Sequence, residues 1–384
     1  MPNFSAASII AAQKLASVNW DFANQHKREP IHNIHPYPAR FIPQIPRELI
    51  RLFHPGDDSP VLDPFCGSST TLVEATAVGL PAIGVDLNPL AILIAKVKTT
   101  PLNRSLVPIA KEIVAQALIE EAAIPDIPRL GHWFPPIVQQ VLSRLIQQIN
   151  RVQETEIQNA LKIVLSRIIV RVSNQESDTR YAAINKDITA DQIYELFFSS
   201  AEFVDRALAE TYGGIFSRKP ECTLLNRDIL DVTPEDIGRG VGLTVTSPPY
   251  PNAYEYWLYH KYRMYWLGMD PLPVRAAEIG ARPHYFKKNR QTEADFERQM
   301  SRCFGLLGQV MRLGSFACFL VGRSIIHGQR IDNVALLERA ALPHGFLKVG
   351  AVERKIPQTR KAFNPTHSKI NDETIIIFRL EGTS

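Results

Sequence analysis

Cysteine is scarce in the 384-residue sequence, and no two cysteines lie close enough in sequence to form a C-x-x-C pair. This spacing indicates neither a zinc or other metal site nor a disulfide framework, so a reducing, cytoplasmic location is expected. No apolar stretch is long enough to span a membrane. Residues 5–18 are mildly apolar, but they lack the basic leader of a signal peptide.

A strong excess of charge is also missing, because 43 basic and 39 acidic residues give a net charge of only +4. That balance alone does not identify a nucleic-acid-binding protein. Evidence for nucleic-acid binding has to come from local clusters of basic residues. The sequence also contains neither G-x-G-x-x-G nor a P-loop, which argues against a nucleotide-dependent dehydrogenase or a nucleoside triphosphatase. With 45% apolar residues, the chain can bury a large core.

The pattern between residues 59 and 99 predicts a strand–helix–strand unit. An apolar strand at 60–62 leads into a Gly/Ser turn and a helix, which Ser68 or Ser69 can cap and Gly79 can end. A second strand at 82–85 ends at Asp86. The unit therefore places two acids, Asp63 and Asp86, at the carboxyl ends of neighbouring parallel strands.

Further strand patterns predict a doubly wound α/β fold with a mostly parallel sheet of about seven strands. The strands are expected at 60–62, 82–85, 222–225, 243–246, 315–321, 347–352 and 374–378. Apolar spacing of three and four predicts helices at 106–123, 135–152, 155–172 and 190–211. We therefore expect residues 1–100 and 216–384 to form one domain, which a helical insertion at 101–215 interrupts.

The turn after the first strand reads L-D-P-F-C-G-S-S-T-T over residues 62–71. Small residues there let a ligand approach the backbone, although one glycine is too few for a pyrophosphate site. Asp86 is placed where a carboxylate can accept hydrogen bonds from both hydroxyls of a ribose. The alternative for Asp86 is a helix-capping role.

The strand at 243–246 runs into Ser247-Pro248-Pro249-Tyr250. Two prolines make this turn rigid and leave carbonyl groups without amide partners, so the turn offers hydrogen-bond acceptors beside an aromatic ring. Such acceptors suit an exocyclic amino group, whose weak nucleophilicity is overcome by positioning and electrostatics. Attack at carbon 5 of cytosine would need a cysteine in this loop, and there is none.

These motifs together resemble those of the amino-methylating DNA methyltransferases. Residues 63–71 resemble motif I, D-P-F-x-G-S/T-G-T-T, with Ser69 in place of the usual glycine, and residues 35–41 resemble motif X. The resemblance covers residues 31–100 and 222–380 and implies a class I fold that uses S-adenosyl-L-methionine. The cofactor-binding residues that it implies are Asp63, Phe65, Gly67, Asp86, Asp228, Pro38 and Phe41.

A serine before P-P-Y is similar to the cytosine-N4 enzymes of this family, with Ser247, Pro248, Pro249 and Tyr250 as catalytic residues. The resemblance implies methylation of N4 in a specific sequence of double-stranded DNA, with Tyr250 stacking on a flipped base. A partner restriction enzyme is compatible with this interpretation. Adenine-N6 methylation, RNA guanine-N2 methylation and a catalytically silent relative remain alternatives, although only about 30 residues precede the motif X segment, which leaves little room for an RNA-binding domain.

Two basic segments without acids, 282–290 and 354–369, are candidates for phosphate contacts, with solvated loops as the alternative. The insertion and its polar loop at 174–181 are the expected sequence-reading region, and the aromatic stretch 254–266 competes for that role. The predicted DNA-binding residues are Arg180, Lys287, Lys288, Arg290, Arg360 and Lys361.

Overall fold

A central seven-stranded sheet organises the computed structural model, which describes residues 6–23, 29–40, 42–178, 181–213, 221–251, 255–286, 290–356 and 372–382. Within these residues the strand order is β3-β2-β1-β4-β5-β9-β8. Strand β9 runs antiparallel to both of its neighbours and the other adjacent pairs are parallel. The strands are β1 (Val61–Asp63), β2 (Ala82–Asp86), β3 (Cys222–Asn226), β4 (Val241–Thr246), β5 (Met311–Gly322), β6 (Ser324–Ile326), β7 (Gln329–Ile331), β8 (Phe346–Lys355) and β9 (Asp372–Leu380).

This sheet confirms the predicted class I α/β fold, since every predicted strand is present. The hairpin of β6 and β7 was not predicted, because each of its strands has only three residues. Its turn consists of His327 and Gly328, both with positive φ, which is the backbone that a two-residue hairpin turn requires.

Helices cover both faces of the sheet. Because side chains alternate along a strand, Val61 packs with Leu49 and Leu72 on one face, and Leu62 packs with Phe304 on the other. The helices are α1 (Ala6–Ala16), α2 (Gln44–Phe53), α3 (Thr70–Ala77), α4 (Pro89–Lys98), α5 (Leu106–Ile119), α6 (Leu130–Trp133), α7 (Pro136–Arg151), α8 (Thr155–Val172), α9 (Ala190–Tyr212), α10 (Pro234–Ile237), α11 (Tyr256–Trp266), α12 (Leu272–Ala277), α13 (Arg282–Phe286), α14 (Glu293–Val310) and α15 (Asn333–Ala341).

The insertion between β2 and β3 forms a helical layer on the outer side of α4. Buried residues of α5, α7, α8 and α9 share one apolar cluster with Leu90, Leu93 and Val97 of α4. Its four long helices match the predicted ones, except that α5 ends at Ile119. The next two residues, Glu120 and Glu121, pair with arginines of α7.

None of the helices in the described part of the chain is both long and apolar enough to cross a bilayer.

Candidate active site

A cleft with an empty volume of about 830 Å³ opens at the carboxyl ends of β1, β2, β3 and β4. In a parallel sheet these ends meet at one edge, so residues far apart in sequence converge there. Six of the predicted site residues line this cleft: Phe65, Gly67, Asp86, Asp228, Ser247 and Pro249.

Asp63, the last residue of β1, lies behind the cleft wall and is only 1% exposed. Its Oδ1 accepts hydrogen bonds from the Phe65 amide at 3.1 Å and from the Thr246 hydroxyl at 2.7 Å. Its Oδ2 is buried and has no hydrogen-bond partner. Burial raises the pKa of Asp63 to about 6. Because Thr246 immediately precedes Ser247, this carboxylate joins the two predicted motifs directly.

Asp86 ends β2 and lines the cleft. Its two oxygens accept hydrogen bonds from the amides of Gly67 and Asn88, both at 2.8 Å. Burial raises the pKa of Asp86 to about 6. Gly67 has a φ of +45°, and a Cβ atom there would lie 3.3 Å from the ring of Tyr37. A glycine therefore lets the turn pass beneath Tyr37, which forms part of the cleft wall.

Ser69 stands in the left-handed region, with φ 62° and ψ 32°. Its hydroxyl makes no capping hydrogen bond to α3 and is buried without a partner. Ser69, one of the two predicted cap residues, therefore occupies the N-cap position but makes no side-chain hydrogen bond to the helix. Glycine adopts this backbone without strain, which is why a glycine suits this position of the motif.

The S-P-P-Y turn follows β4. Ser247 and Pro249 line the cleft, and the Ser247 Oγ lies 3.4 Å from the Tyr250 hydroxyl. Pro248 is buried, and Tyr250 packs against Gly322, where a Cβ atom would lie 2.8 Å from the tyrosine ring. Neither Pro248 nor Tyr250 is among the side chains that line the cleft.

On the opposite wall, Asp228 follows β3 and accepts a hydrogen bond from the Leu230 amide at 3.0 Å. Partial burial raises its pKa. Pro38 is buried and does not line the cleft, and Phe41 lies outside the described residues. The sequence motifs thus meet in one cleft, although some of their members support it from behind.

Glu278 lines the cleft and was not predicted as a site residue. It is 7% exposed and accepts hydrogen bonds from the amides of Tyr256 at 2.7 Å and Trp257 at 3.1 Å, at the start of α11. Burial raises its pKa to about 8. The amides that Glu278 binds lie about 20 residues earlier in the chain, so no local sequence pattern identifies Glu278 as a site residue.

The segment at 29–40 is held over the turn that follows β1 by polar contacts with α2 and α3. Arg47 pairs with Glu74 at 2.6 Å and with Glu29 at 2.7 Å, and His32 lies 2.8 Å from Glu74. Glu29, His32 and Glu74 approach closely enough to resemble a metal site, but the Arg47 guanidinium already forms ion pairs with both carboxylates. Within the same segment, Tyr37 stacks on Tyr256 with ring centres 5.7 Å apart.

The predicted DNA-contacting residues are only partly described. Arg290 is exposed after α13, while Arg180, Lys287, Lys288, Arg360 and Lys361 lie outside the described residues. Arg354 begins one of the basic segments, but it is 4% exposed, pairs with Glu373 and donates to the Trp20 carbonyl at 3.0 Å. The expectation that Arg354 meets phosphate is therefore wrong, because its charge is used inside the fold.

The polar loop after α8 is not simply solvated. Asp178 pairs with Arg263 of α11, whose side chain is 1% exposed and also donates to the Ser166 carbonyl at 3.0 Å. The ring of Tyr181 lies 4.6 Å from that of Trp133. The loop thus connects the insertion to the helix that follows the S-P-P-Y turn.

Residues 10–97 match the family model described as DNA methylase. The chain is 29% identical over 258 residues to Type II methyltransferase M.MvaI of Kocuria varians, an alignment that covers 60% of this chain and 56% of that protein. It is 40% identical over 87 residues to M.MjaII of Methanocaldococcus jannaschii, covering 21% of this chain and 16% of that protein. These alignments span little more than half of the first relative's length and a small part of the second.

Among solved structures, the chain is similar to the rRNA methyltransferase aviRa from Streptomyces viridochromogenes, with a TM-score of 0.37 and 11% identity. That superposition covers 95% of this chain and 97% of the other.

Proposed function

We propose that this chain, which belongs to the amino-methylating DNA methyltransferase family, methylates an exocyclic amino group of a base in double-stranded DNA. The observation that supports this most strongly is a hydrogen bond between Asp63, in the motif I turn, and Thr246, the residue directly before S-P-P-Y. The Thr246 hydroxyl donates to Asp63 at 2.7 Å, so the S-P-P-Y turn and the turn that follows β1 are held at one cleft.

The residues around the cleft fit S-adenosyl-L-methionine, the cofactor of this family. The buried, unpartnered Oδ2 of Asp63 is an acceptor that suits the cofactor's ammonium group. Asp86 would accept from the ribose hydroxyls, and Asp228 would face the adenine. Phe65 and Gly67 would line the pocket, where Gly67 leaves the space that a side chain would fill. When bound, the cofactor supplies an electrophilic methyl group on its sulfonium.

The chain's own part in the reaction is to hold the amino group. The Ser247 hydroxyl and the Pro248 carbonyl would accept its two hydrogens and direct its lone pair into the cleft. Two prolines fix these acceptors before substrate arrives, so little reorganisation is needed at the moment of reaction. Tyr250 supports Ser247 through its hydroxyl, and a base-stacking role would require its ring to become accessible.

A covalent route through a cysteine is disfavoured by the cleft itself. Cys66 lines the cleft, but burial raises the pKa of its thiol well above the usual value, and the charges of Asp86 and Asp63 raise it further. At neutral pH Cys66 is therefore a thiol rather than a nucleophilic thiolate.

Within this family we further propose cytosine N4 as the acceptor, because Ser247 stands before P-P-Y. We also propose that the insertion at 101–215 reads the DNA sequence. Since the named relatives are Type II methyltransferases, a companion restriction enzyme of the same specificity is proposed as well.

Sequencing that detects modified bases, applied to DNA from cells expressing the protein, tests these proposals together. We expect N4-methylcytosine at one recurring sequence in wild-type cells and none in cells expressing the Ser247→Ala variant. N6-methyladenine at a recurring sequence would contradict the choice of base alone. Methylation of RNA without any in DNA would contradict the proposed function.

A further inference from the structure

Three cationic side chains lie near one another, and none of them is among the individual residues predicted to contact DNA, although Arg129 lies in the insertion and Lys261 in the aromatic stretch 254–266. Arg129 precedes α6, Lys261 lies in α11 and Arg275 lies in α12. Burial lowers the pKa of Lys261, and the positive charges of Arg129 and Arg275 lower it further. Both arginines, which come from separate parts of the chain, are thus within electrostatic range of Lys261.

Aromatic contacts hold these cations in place. The Tyr262 hydroxyl donates to the Pro128 carbonyl at 3.4 Å, which fixes the loop of Arg129 against α11. The Lys261 Nζ lies 5.2 Å from the centre of the Tyr262 ring, and the Arg275 guanidinium lies 5.1 Å from that of Trp257. Contacts of this kind order long cationic side chains without neutralising them.

The neighbouring acids are engaged elsewhere. Asp270 accepts a hydrogen bond from the Leu272 amide at 2.9 Å, and Glu255 accepts one from the Trp257 indole at 3.3 Å. Glu278 binds the two amides at the start of α11. Across the described ranges, no carboxylate lies within 4.0 Å of the three cations, so their charge is open to an external anion.

This surface, defined by Arg129, Lys261 and Arg275, is linked to the cleft through α11 and α12, the helices that carry Lys261 and Arg275. Val274 and Ala277 of α12, and Glu278 directly after this helix, line the cleft, while Arg275 is exposed on α12. Tyr256, at the start of α11, also lines the cleft. A polyanion bound at this surface would therefore pass next to the S-P-P-Y turn.

We infer that Arg129, Lys261 and Arg275 bind phosphates of the DNA strand that presents the target base. The inference rests on the proposed function, because a duplex whose base enters the cleft must place backbone phosphates at its rim. Contacts of this type set the position of the protein on the duplex and make binding depend on salt.

The test compares a triple variant, Arg129→Gln, Lys261→Gln and Arg275→Gln, with wild-type protein. Fluorescence anisotropy of a labelled, mixed-sequence DNA duplex would be measured over a series of KCl concentrations, with S-adenosylhomocysteine present. We expect weaker binding, and a slope of log K against log salt that is shallower by about 0.9 for each phosphate that the variant no longer neutralises. Single variants, each with one cation replaced, should each show about one third of the change in slope.

A matched control removes the same charge at the opposite edge of the sheet through Arg51→Gln, Arg239→Gln and Arg312→Gln. These residues lie at the end of α2, before β4 and at the start of β5, and the control should keep nearly the wild-type slope. S-adenosylhomocysteine affinity and thermal unfolding should be unchanged in the single cation variants, which shows that they are folded.

Equal DNA affinity and slope in the triple variant and the control would overturn the inference, as would a weakening confined to an RNA duplex probe. Methyl transfer to DNA, measured with labelled cofactor, separates this from the proposed function. If wild-type protein methylates DNA but the cations are dispensable for binding, only the inference fails. If the cations govern DNA binding but no DNA is methylated, only the proposed function fails.

Discussion

At the scale of single residues, Asp63 and Asp86 are acids whose buried surroundings disfavour the charged form. Burial raises the pKa of both to about 6, above the ordinary value of 3.8. Binding a cofactor ammonium requires Asp63 to be ionised, so affinity should be lost as the pH falls through about 6. The stability of the folded state changes with pH in the opposite direction. Carboxyl groups with raised pKa values add stability as the pH falls from about 6 toward 4.

We therefore expect S-adenosylhomocysteine to bind more weakly at pH 5 than at pH 8. The contribution of Asp63 and Asp86 to the stability of the ligand-free protein should instead be larger at pH 5 than at pH 8. Isothermal titration calorimetry and denaturant unfolding over this pH range measure the two effects. The Asp63→Asn variant should bind weakly at every pH and lose most of the pH dependence. The same pH profile in wild type and Asp63→Asn would show that Asp63 does not hold the ammonium group.

Replacing Ser247 with alanine removes a hydroxyl acceptor at the cleft. We expect kcat for methyl transfer to DNA to fall by about 10²-fold, in the range found for single preorganised hydrogen-bonding groups in active sites. Affinity for S-adenosylhomocysteine should change little, because the predicted cofactor contacts lie on other strands. Transfer of labelled methyl groups measures the rate, and Ser301→Ala on α14 serves as the control. Full activity in Ser247→Ala would remove this residue from the mechanism.

Ser69 is a residue whose replacement should stabilise the fold. Its φ of 62° and its unpartnered, buried hydroxyl both cost free energy. We expect Ser69→Gly to raise the free energy of unfolding by about 1 kcal/mol, as measured by urea denaturation. Ser68→Gly is the matched control, because Ser68 is not among the residues with positive φ, and it should destabilise the protein. A decrease in stability in Ser69→Gly would mean that its side chain makes contacts that outweigh the strain.

At the scale of elements, an ion pair with a buried arginine contributes to holding the loop after α8 against α11. Arg263 is 1% exposed and pairs with Asp178. Removing Asp178 leaves this guanidinium with carbonyl partners only. We expect Asp178→Ala to lower the free energy of unfolding by about 3 kcal/mol.

Denaturant unfolding measures this effect, and Asp187→Ala, at an exposed position of the same connection, should change stability by less than about 0.5 kcal/mol. Equal free energies of unfolding in Asp178→Ala and Asp187→Ala would show that the Asp178–Arg263 pair does not stabilise the loop. Hydrogen exchange at residues 173–178 and in α11 should rise together in Asp178→Ala, because the pair joins these two elements.

At the scale of the whole molecule, the insertion is not an independent unit. Its helices share one buried apolar cluster with α4 and with Trp257 and Met264 of α11. We therefore expect residues 101–215 and the sheet to unfold in one transition, with hydrogen exchange in α8 and β4 following the same denaturant dependence. Two separate transitions would show that the insertion is a domain of its own. S-adenosylhomocysteine should shift the whole transition to higher temperature.

The sequence by itself determined the seven strands of the central sheet, the four long helices of the insertion and the two motifs. These features depend on local patterns: apolar periodicity, one glycine in a turn, and two prolines after a strand. Adjacent parallel strands then bring Asp63, Asp86 and Ser247 to the same edge of the sheet, so much of the cleft could be predicted.

Only the tertiary structure decided which side chains face the cleft and which support it. Asp63, Pro248 and Tyr250 lie behind the cleft wall, whereas Glu278 lines the cleft. Packing between distant segments sets these orientations. The same holds for charge: Arg354 pairs with Glu373 inside the fold, whereas Arg129 and Arg275 come from distant parts of the chain and lie within electrostatic range of Lys261. Sequence spacing cannot show either outcome, since the partner of a charge is set by three-dimensional contact.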